Sequence, residues 1–209
     1  MSNDFDYGFN FSNSNNHCNH TVSIVIIVAV IIGFFTILFS VSTSNSFVDM
    51  EEDINSQYAN LQTNLQRRMD LIPNLVETVK GYTEHEEAVF SEIAEARLQL
   101  SNSIESGDMS KISTANDQLN NTLSKLLVIV ESYPELKSSE HFTALMDEIA
   151  GTENRIAVSR QYYNEAVQKY NKAIRKFPTS IIASIGGLEA KDYFEADESA
   201  QSAPKIDFN

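Results

Sequence analysis

One uninterrupted apolar run, residues 22–41 (VSIVIIVAVIIGFFTILFSV), constrains this chain more than any other part of its sequence. The run carries no charged residue. A helix of about 20 residues, rising about 1.5 Å per residue, spans a hydrocarbon layer of about 30 Å. A secretory signal would need a basic start and a shorter apolar core, whereas residues 1–21 contain no Lys or Arg. The run therefore predicts a permanent transmembrane helix held in membrane lipid.

The sequence on either side of this run says less about orientation. Residues 1–21 are rich in Asn and Ser and contain Asp4 and Asp6, a composition typical of a disordered acidic tail. Because no Lys or Arg lies close to the run, the positive-inside rule does not decide the topology. A short tail without positive charge crosses a membrane easily, which favours the tail outside and the remaining domain in the cytoplasm. His and Cys at residues 17–20 (HCNH) are possible metal ligands, but without a partner cluster a solvated tail is the preferred interpretation.

The composition excludes some classes of protein. The net charge of −14 argues against nucleic acid as a partner, because phosphate binding requires a basic face. The chain has seven Gly and four Pro, which favours long regular elements with few turns. Its one Cys, Cys18, excludes an intrachain disulfide.

Four helices are predicted in residues 46–178 from apolar residues spaced three and four apart. The first ends at Gly81 and the second opens with a capping box, Thr83 followed by Glu86. The third begins near Asp108. The buried faces are predicted to contain, in turn, Ile54, Tyr58, Leu61, Leu65, Arg68, Ile72, Leu75, Val76 and Val79; Val89, Ile93, Ala96 and Leu100; Ile112, Leu119, Leu123, Leu126 and Val130.

The fourth helix is the longest and most regular, with a coiled-coil-like heptad seam that Pro178 ends. The seam contains Phe142, Leu145, Ile149, Thr152, Ile156, Ser159, Tyr163, Ala166, Tyr170, Ala173 and Phe177. Short connections imply antiparallel neighbours. The predicted fold class is all-α: an N-terminal transmembrane helix followed by an antiparallel up-and-down four-helix bundle with long first and fourth helices.

An antiparallel register that pairs Lys80 with Ser139 makes two further predictions. It places the acidic residues 49–53 beside basic residues at the end of the fourth helix, which include the membrane-proximal basic end of Lys172, Arg175 and Lys176. It also places Arg67 and Arg68 level with Thr152 and Glu153.

The stretch NLQRRMDLIPN (residues 64–74) is predicted to be a structural polar lock, with a ligand site as the alternative. Arg68 shares the heptad position of Ile54 and Leu61, so its guanidinium should point inward and pair with Glu153 or Glu148, because an uncompensated buried charge is costly. Pro73 should free a backbone carbonyl near residue 69. The residues assigned to the lock are Arg67, Arg68, Asp70, Pro73, Asn74, Glu153 and Arg155, with Arg67, Asp70 and Asn74 placed to satisfy the freed backbone groups.

Several blocks of this sequence resemble the LemA family of bacterial membrane proteins. They are NLQRRMDLIPNLVETVKGYTEHE, LLVIVESYPELK, GTENRIAVSRQYYNEAVQKYNKAIRKFP, DYFEAD and APKIDF, in this order within residues 46–209. The resemblance implies a single-pass anchor in the bacterial cell membrane followed by an antiparallel helical bundle. It implies no enzymatic activity, since no biochemical function is established for the family.

An enzyme is the less favoured functional class. His85 and His141 lie at helix starts and could converge on a metal with Glu84, Glu86 and Glu140, but exposed helix-end residues explain them more simply. The sequence shows no HExxH motif, no repeated Glu-x-x-His pair and no Gly-rich phosphate loop. We therefore predict no catalytic residue, no cofactor and no metal.

The favoured function is a membrane-anchored scaffold or adaptor that engages a protein partner of unknown identity. Residues 179–209, an amphipathic segment followed by an acidic tail, offer Tyr193, Phe194 and Phe208 as contacts, unless this tail is solvated or folds back on the bundle. The alternative function is binding or remodelling of the membrane surface by the bundle base and residues 179–188. There Ile181, Ile182, Ile185 and Leu188 follow helical spacing. Packing of this segment against the lower end of the bundle is an equal interpretation.

Overall fold

The computed structural model describes residues 15–83 and 85–195, with side chains from residue 22 onward. The helices in these ranges are α1 (Asn15–Lys80), α2 (Glu87–Ser106), α3 (Met109–Val130), α4 (Pro134–Lys137), α5 (Glu140–Arg175) and α6 (Thr179–Ile185). No strand occurs in the described ranges. The all-helical prediction is confirmed there. Predictions on residues 1–14 and 196–209, on Glu84, on Phe208 and on the side chains of the HCNH stretch lie outside the described residues.

The chain divides into two compact units, residues 1–46 and residues 47–209. The first contains the apolar run, whose large apolar side chains are each 44–66 % exposed. By length and composition, α1 is long and apolar enough to cross a membrane. Exposure of so many aliphatic and aromatic side chains is costly in water but suits a hydrocarbon solvent.

The second unit has one apolar core to which α1, α2, α3 and α5 contribute. Leu61, Ile93, Leu119 and Tyr170, one from each helix, have no measurable exposure. The order of contacts along α1 is antiparallel to that along α5: Glu51 accepts from Tyr170, Asn64 donates to Ser159, and Arg67 pairs with Glu148. These pairs agree with the predicted register to within a few residues.

Local capping explains where some of these helices begin or end. Asp108 caps α3 by accepting from the Lys111 amide, and Ser139 caps α5 by accepting from the Phe142 amide. Gly107 ends α2 with a φ of 68°, a left-handed conformation that favours glycine. α1 ends at Lys80, immediately before Gly81, as predicted.

Three details of the sequence prediction are wrong. Residues 15–21, predicted to be part of a disordered tail, are helical, because α1 runs without interruption from Asn15 to Lys80. The capping box at Thr83 and Glu86 does not form, because buried Thr83 donates its hydroxyl to the Val79 carbonyl and Glu86 makes no side-chain cap. Phe177 is not in the core but 83 % exposed, since α5 ends at Arg175. A residue before proline is disfavoured in a helix, so Phe177 leaves the helical phase of the seam.

Short α4, which was not predicted, lies between α3 and α5. Pro134 occupies its first turn, a position that lacks an intrahelical donor anyway. Leu136 is fully buried and anchors this turn to the core.

Candidate functional site

Arg68 is the centre of a polar network inside the second unit. Its side chain is 4 % exposed, and its Nη1 lies 2.5 Å from Glu153 Oε2 on α5 and 3.3 Å from Asn116 Oδ1 on α3. Its Nη2 donates to Asn120, also on α3. One guanidinium therefore connects three helices through donors arranged in a fixed plane.

The burial and the charged neighbours of Arg68 make the folded state sensitive to substitution at this position. Burial lowers the pKa of Arg68, while the carboxylates of Glu153 and Asp117 oppose that shift. The buried Nε has no hydrogen-bond partner in the described part of the chain. Glu153 is 45 % exposed, so water reaches the carboxylate end of the pair but not the guanidinium.

A second, exposed ion group lies beside this network. Glu148 accepts from Arg67, with the carboxylate 2.6 Å from Nη2, and from Arg155 at 3.1 Å. The hydrogen bond from Arg67 is the main reason that the pKa of Glu148 is lowered. Arg67 and Arg155 therefore do not join the Arg68 network, and the residues assigned to one polar lock fall into an inner and an outer group.

Pro73 lies inside α1 and frees the carbonyl of Met69, as its position predicts. The donor to this carbonyl is Arg97 on α2, whose Nε lies 2.8 Å away. The predicted partners do not fill this role: Arg67 pairs with Glu148, Asp70 accepts from Gln66, and Asn74 is exposed. Which helix faces a proline depends on tertiary packing, and no local signal around Arg97 reveals it.

An open cleft of about 510 Å³ adjoins Pro73 and is lined by residues of α1 and α2. Ile72, Val76 and Phe90 line its apolar side, and Lys80 lies 5.5 Å above the Phe90 ring. The cleft is a candidate small-ligand surface whose lining mixes apolar residues with charged ones such as Glu77 and Arg97.

The basic end of α5, formed by Lys172, Arg175 and Lys176, is exposed. In the part of the chain that the structure describes, none of these residues forms an ion pair with the acidic residues 49–53. Glu51 instead pairs with Lys191 at 3.1 Å and accepts from the Tyr170 hydroxyl at 3.2 Å. Burial, with Glu51 as a second cause, raises the pKa of Tyr170 to about 12.

Three large apolar side chains stand exposed beside this basic end: Phe177 (83 %), Ile181 (53 %) and Ile185 (83 %). Elsewhere on the same segment Ala183 is buried, and Ile182 and Leu188 are half-buried against the core. The segment 179–188 thus has an inner face packed on the unit and an outer face in solvent.

Residues 188–195 follow α6 without regular structure and fold back along α5. Phe194 is 2 % exposed, whereas Tyr193 is 40 % exposed. Asn164 and Asn171 bind the main chain of this segment. Apolar periodicity gives no sign of these two asparagines, because neither lies on the heptad seam.

The described residues contain no group of three or more His, Cys, Asp and Glu that could hold a metal. His85 and His141 are both exposed near the starts of α2 and α5. Among the described residues, no hydrogen bond or ion pair joins two of the predicted metal donors.

By the fold of its described residues, the protein belongs to a general class: all-helical proteins with one candidate membrane helix and a packed helical unit. The LemA family pattern matches residues 57–208, and the chain belongs to the LemA family. The family resemblance found in the sequence blocks is therefore confirmed.

The chain is also similar to individual curated proteins. It is 27 % identical to Magnetosome protein MamQ 2 of Paramagnetospirillum magneticum over 202 residues, covering 84 % of this chain and 72 % of that protein. It is 29 % identical to Magnetosome protein MamQ of Magnetospirillum gryphiswaldense, covering 72 % of this chain and 64 % of the relative. It is 25 % identical to Protein LemA of Metamycoplasma hominis, covering 80 % and 75 %.

Proposed function

We propose that this protein is a single-pass, membrane-anchored helical scaffold, without catalytic activity, that binds a protein partner. The observation that carries the proposal is the exposed apolar run, with side chains 44–66 % accessible, on the same helix that supplies core residues to the second unit. Such a run needs a hydrocarbon environment. The second unit then has the role of presenting a surface near a bacterial cell membrane.

In this proposal the segment of α1 from residue 47, with α2, α3 and α5, is an antiparallel up-and-down four-helix bundle. The antiparallel contacts between α1 and α5 support it. The tail precedes the membrane outside and the bundle lies in the cytoplasm. Protease added to intact cells should then cleave an epitope tag at the N-terminus and leave a tag inserted after Gly107 intact. Cleavage of the inner tag alone would reverse this topology.

An exposed apolar pair on α5 supports a protein partner. Val158 and Tyr162 are 50 % and 53 % exposed and line a cleft of about 410 Å³ with Asn60 and Asn64 of α1. Aromatic and aliphatic side chains in a polar rim are typical of binding surfaces. The two MamQ relatives bear names that refer to the magnetosome rather than to a reaction, which is consistent with a structural role.

Site-specific photocrosslinking of the full chain in its own cells tests the scaffold. A photoreactive residue at position 162 should give one recurring adduct, and Val158→Asp should abolish it. The same residue at exposed position 128 on α3 is the matched control. Equal, diffuse adducts from both positions would contradict a partner surface at Tyr162.

The second candidate function is binding to the membrane surface. Phe177, Ile181 and Ile185 favour it because they stand exposed close in sequence to the basic end of α5. Apolar side chains that enter the interface and cations that contact anionic headgroups are the two components of peripheral binding.

The chain contains no tryptophan, which makes this alternative directly testable. Ile185→Trp in the full chain, reconstituted in anionic vesicles, should be quenched by brominated lipid, whereas Val128→Trp should not. Replacing the three basic residues by Gln should weaken the quenching at position 185. An Ile185→Trp chain that shows no quenching would exclude this contact.

A further inference from the structure

A short segment without regular structure, residues 188–195, is bound to α5 mainly through its main chain. Asn171 accepts from the Lys191 amide and donates to the Lys191 carbonyl, both at 2.9 Å. Asn164 makes the same pair of hydrogen bonds with Phe194, again at 2.9 Å each. Each asparagine side chain therefore satisfies both main-chain groups of one residue.

The spacing of the two asparagines matches an extended chain. Asn164 and Asn171 are seven residues apart, which is about 10.5 Å along a helix. Lys191 and Phe194 are three residues apart, which is about 10 Å in an extended conformation. The face of α5 therefore fits the repeat of an extended main chain, and these four hydrogen bonds require no particular side chain on the ligand.

Side-chain contacts add a simple sequence preference. Phe194 is buried, with the Arg160 guanidinium 5.7 Å from its ring centroid. Three positions earlier, Lys191 lies 5.7 Å above the Tyr170 ring and pairs with Glu51. The two residues between them are exposed. The preferred ligand is therefore a cation, two unrestricted residues and a large aromatic residue.

Two further donors extend the contact along the segment. The Tyr163 hydroxyl donates to the Asp192 carbonyl at 3.0 Å, and the Ser113 hydroxyl of α3 donates to the Glu195 carbonyl at 2.6 Å. Both again bind main chain. The site is thus a groove whose walls belong to α5 and α3, with Glu51 of α1 at its Lys191 end.

The chain's own segment does not fill all of this region. A cleft of about 370 Å³ adjoins Lys191 and is lined by Tyr58, Met109 and Tyr163, among others. A longer ligand could bury a side chain there that the internal segment does not supply. Gly187, with a φ of 65°, makes the turn that leads the segment to the groove.

We propose that this groove is a binding site for an extended segment of a partner protein with a cation followed three residues later by an aromatic residue. The segment 191–194 of the chain itself is a displaceable internal ligand that occupies the site until the partner arrives. Exchange replaces main-chain hydrogen bonds by equivalent ones, so little is lost when the segments change places. This inference rests on the scaffold function, because it specifies one surface that a partner would use.

A labelled peptide of residues 189–195 (EAKDYFE) tests the groove in the full chain in detergent or vesicles. In the Phe194→Ala chain, where the internal ligand has lost its aromatic anchor, the peptide should bind at least about tenfold more tightly than to the unmodified chain. Asn171→Ala added to that chain should reduce peptide affinity at least about tenfold. A peptide with Ala in place of its Phe is the matched control and should bind weakly.

The full chain with Lys191→Ala added to Phe194→Ala is the second receptor, in case the Phe194→Ala segment stays in place. If neither receptor binds the peptide while its helical circular dichroism is retained, the groove is excluded. Binding that is equal with and without Asn171 would also overturn the proposal. Because Val158 and Tyr162 lie outside this groove, the crosslinking experiment judges the scaffold function separately.

Discussion

Two polar sites on α5 bind other parts of the chain in different ways. The Arg68 network joins a buried guanidinium to a carboxylate and two amides across three helices. The contact of Asn164 and Asn171 joins neutral side chains to the main chain of one extended segment. The first depends on particular partners and fixes which helix faces lie together. The second depends only on main chain and suits a segment that can be exchanged.

The difference has an energetic consequence. Removing one partner of a buried charge leaves the other without compensation, which costs about 3–5 kcal/mol. A neutral hydrogen bond contributes a net of about 1 kcal/mol, and groups released to water recover most of their hydrogen bonding. Disrupting the two contacts should therefore have global and local effects, respectively.

The largest effect is expected from charge reversal at Arg68. Arg68→Glu should lower the free energy of unfolding by about 3–5 kcal/mol, because it places two carboxylates together beside buried amides. Glu153→Arg in the same chain should recover part of this loss. Urea denaturation of the two single variants and the double variant gives the coupling energy. A coupling energy of zero would contradict the assigned pair.

A smaller effect is expected from alkaline pH, and it should act on the segment. Burial is the main cause that raises the pKa of Tyr163 and of Tyr170 to about 12 each. A raised pKa in the folded state gives stability that is present below the ordinary value near 10 and is lost as the pH rises through 12. The loss should be on the order of 2 kcal/mol.

Tyrosinate absorbance and circular dichroism, recorded together from pH 9 to pH 12.5, check this expectation. Tyr163→Phe removes one of the two contributions and should reduce the pH dependence. Unchanged stability across the interval, with both tyrosines ionised, would contradict the assignment.

The asparagine contact should give a still smaller loss. Asn171→Ala should reduce the free energy of unfolding by about 1–2 kcal/mol, since the main chain of Lys191 can turn to water when the segment detaches. Asn171→Asp keeps the acceptor for the Lys191 amide and loses the donor to its carbonyl. In thermal unfolding, the stability of the Asn171→Asp chain should lie between that of the unmodified chain and that of the Asn171→Ala chain. A loss as large as that of Arg68→Glu would show that the segment is an integral part of the core.

The smallest change in the free energy of unfolding is expected from disrupting the exposed ion group at Glu148. Arg67→Gln should reduce the free energy of unfolding by less than about 1 kcal/mol, because the pair is open to solvent. It should also raise the pKa of Glu148 toward its ordinary value, since Arg67 is the main cause of the lowered pKa. Carboxyl chemical shifts followed by NMR through an acid titration measure this change. An unaltered Glu148 titration would refute the assignment.

The sequence was informative where periodicity and register act together. Heptad phase placed Arg68 inward, and the antiparallel register brought it level with Glu153, with which it pairs. The start of α3 at Asp108 is readable from the sequence because the Asp108 side chain accepts from the nearby Lys111 amide.

Other features depend on tertiary contacts that no local pattern contains. Arg97 meets the Met69 carbonyl only because α2 lies beside Pro73. The role of Asn164 and Asn171 depends on an aperiodic segment that lies against them, and no helical pattern predicts that segment. Phe177 continued the seam by spacing, yet the proline after it ended the helix earlier and left its ring exposed.

Native-state hydrogen exchange of the full chain compares the two contacts most directly. The amides of Lys191 and Phe194 should exchange by local opening, far faster than α5 amides near Glu153, and their rates should not follow global stability. Adding excess EAKDYFE peptide should speed their exchange further if it displaces the segment. Exchange of these two amides that is as slow as the α5 core, and unchanged by peptide, would contradict an exchangeable segment beside a fixed polar network.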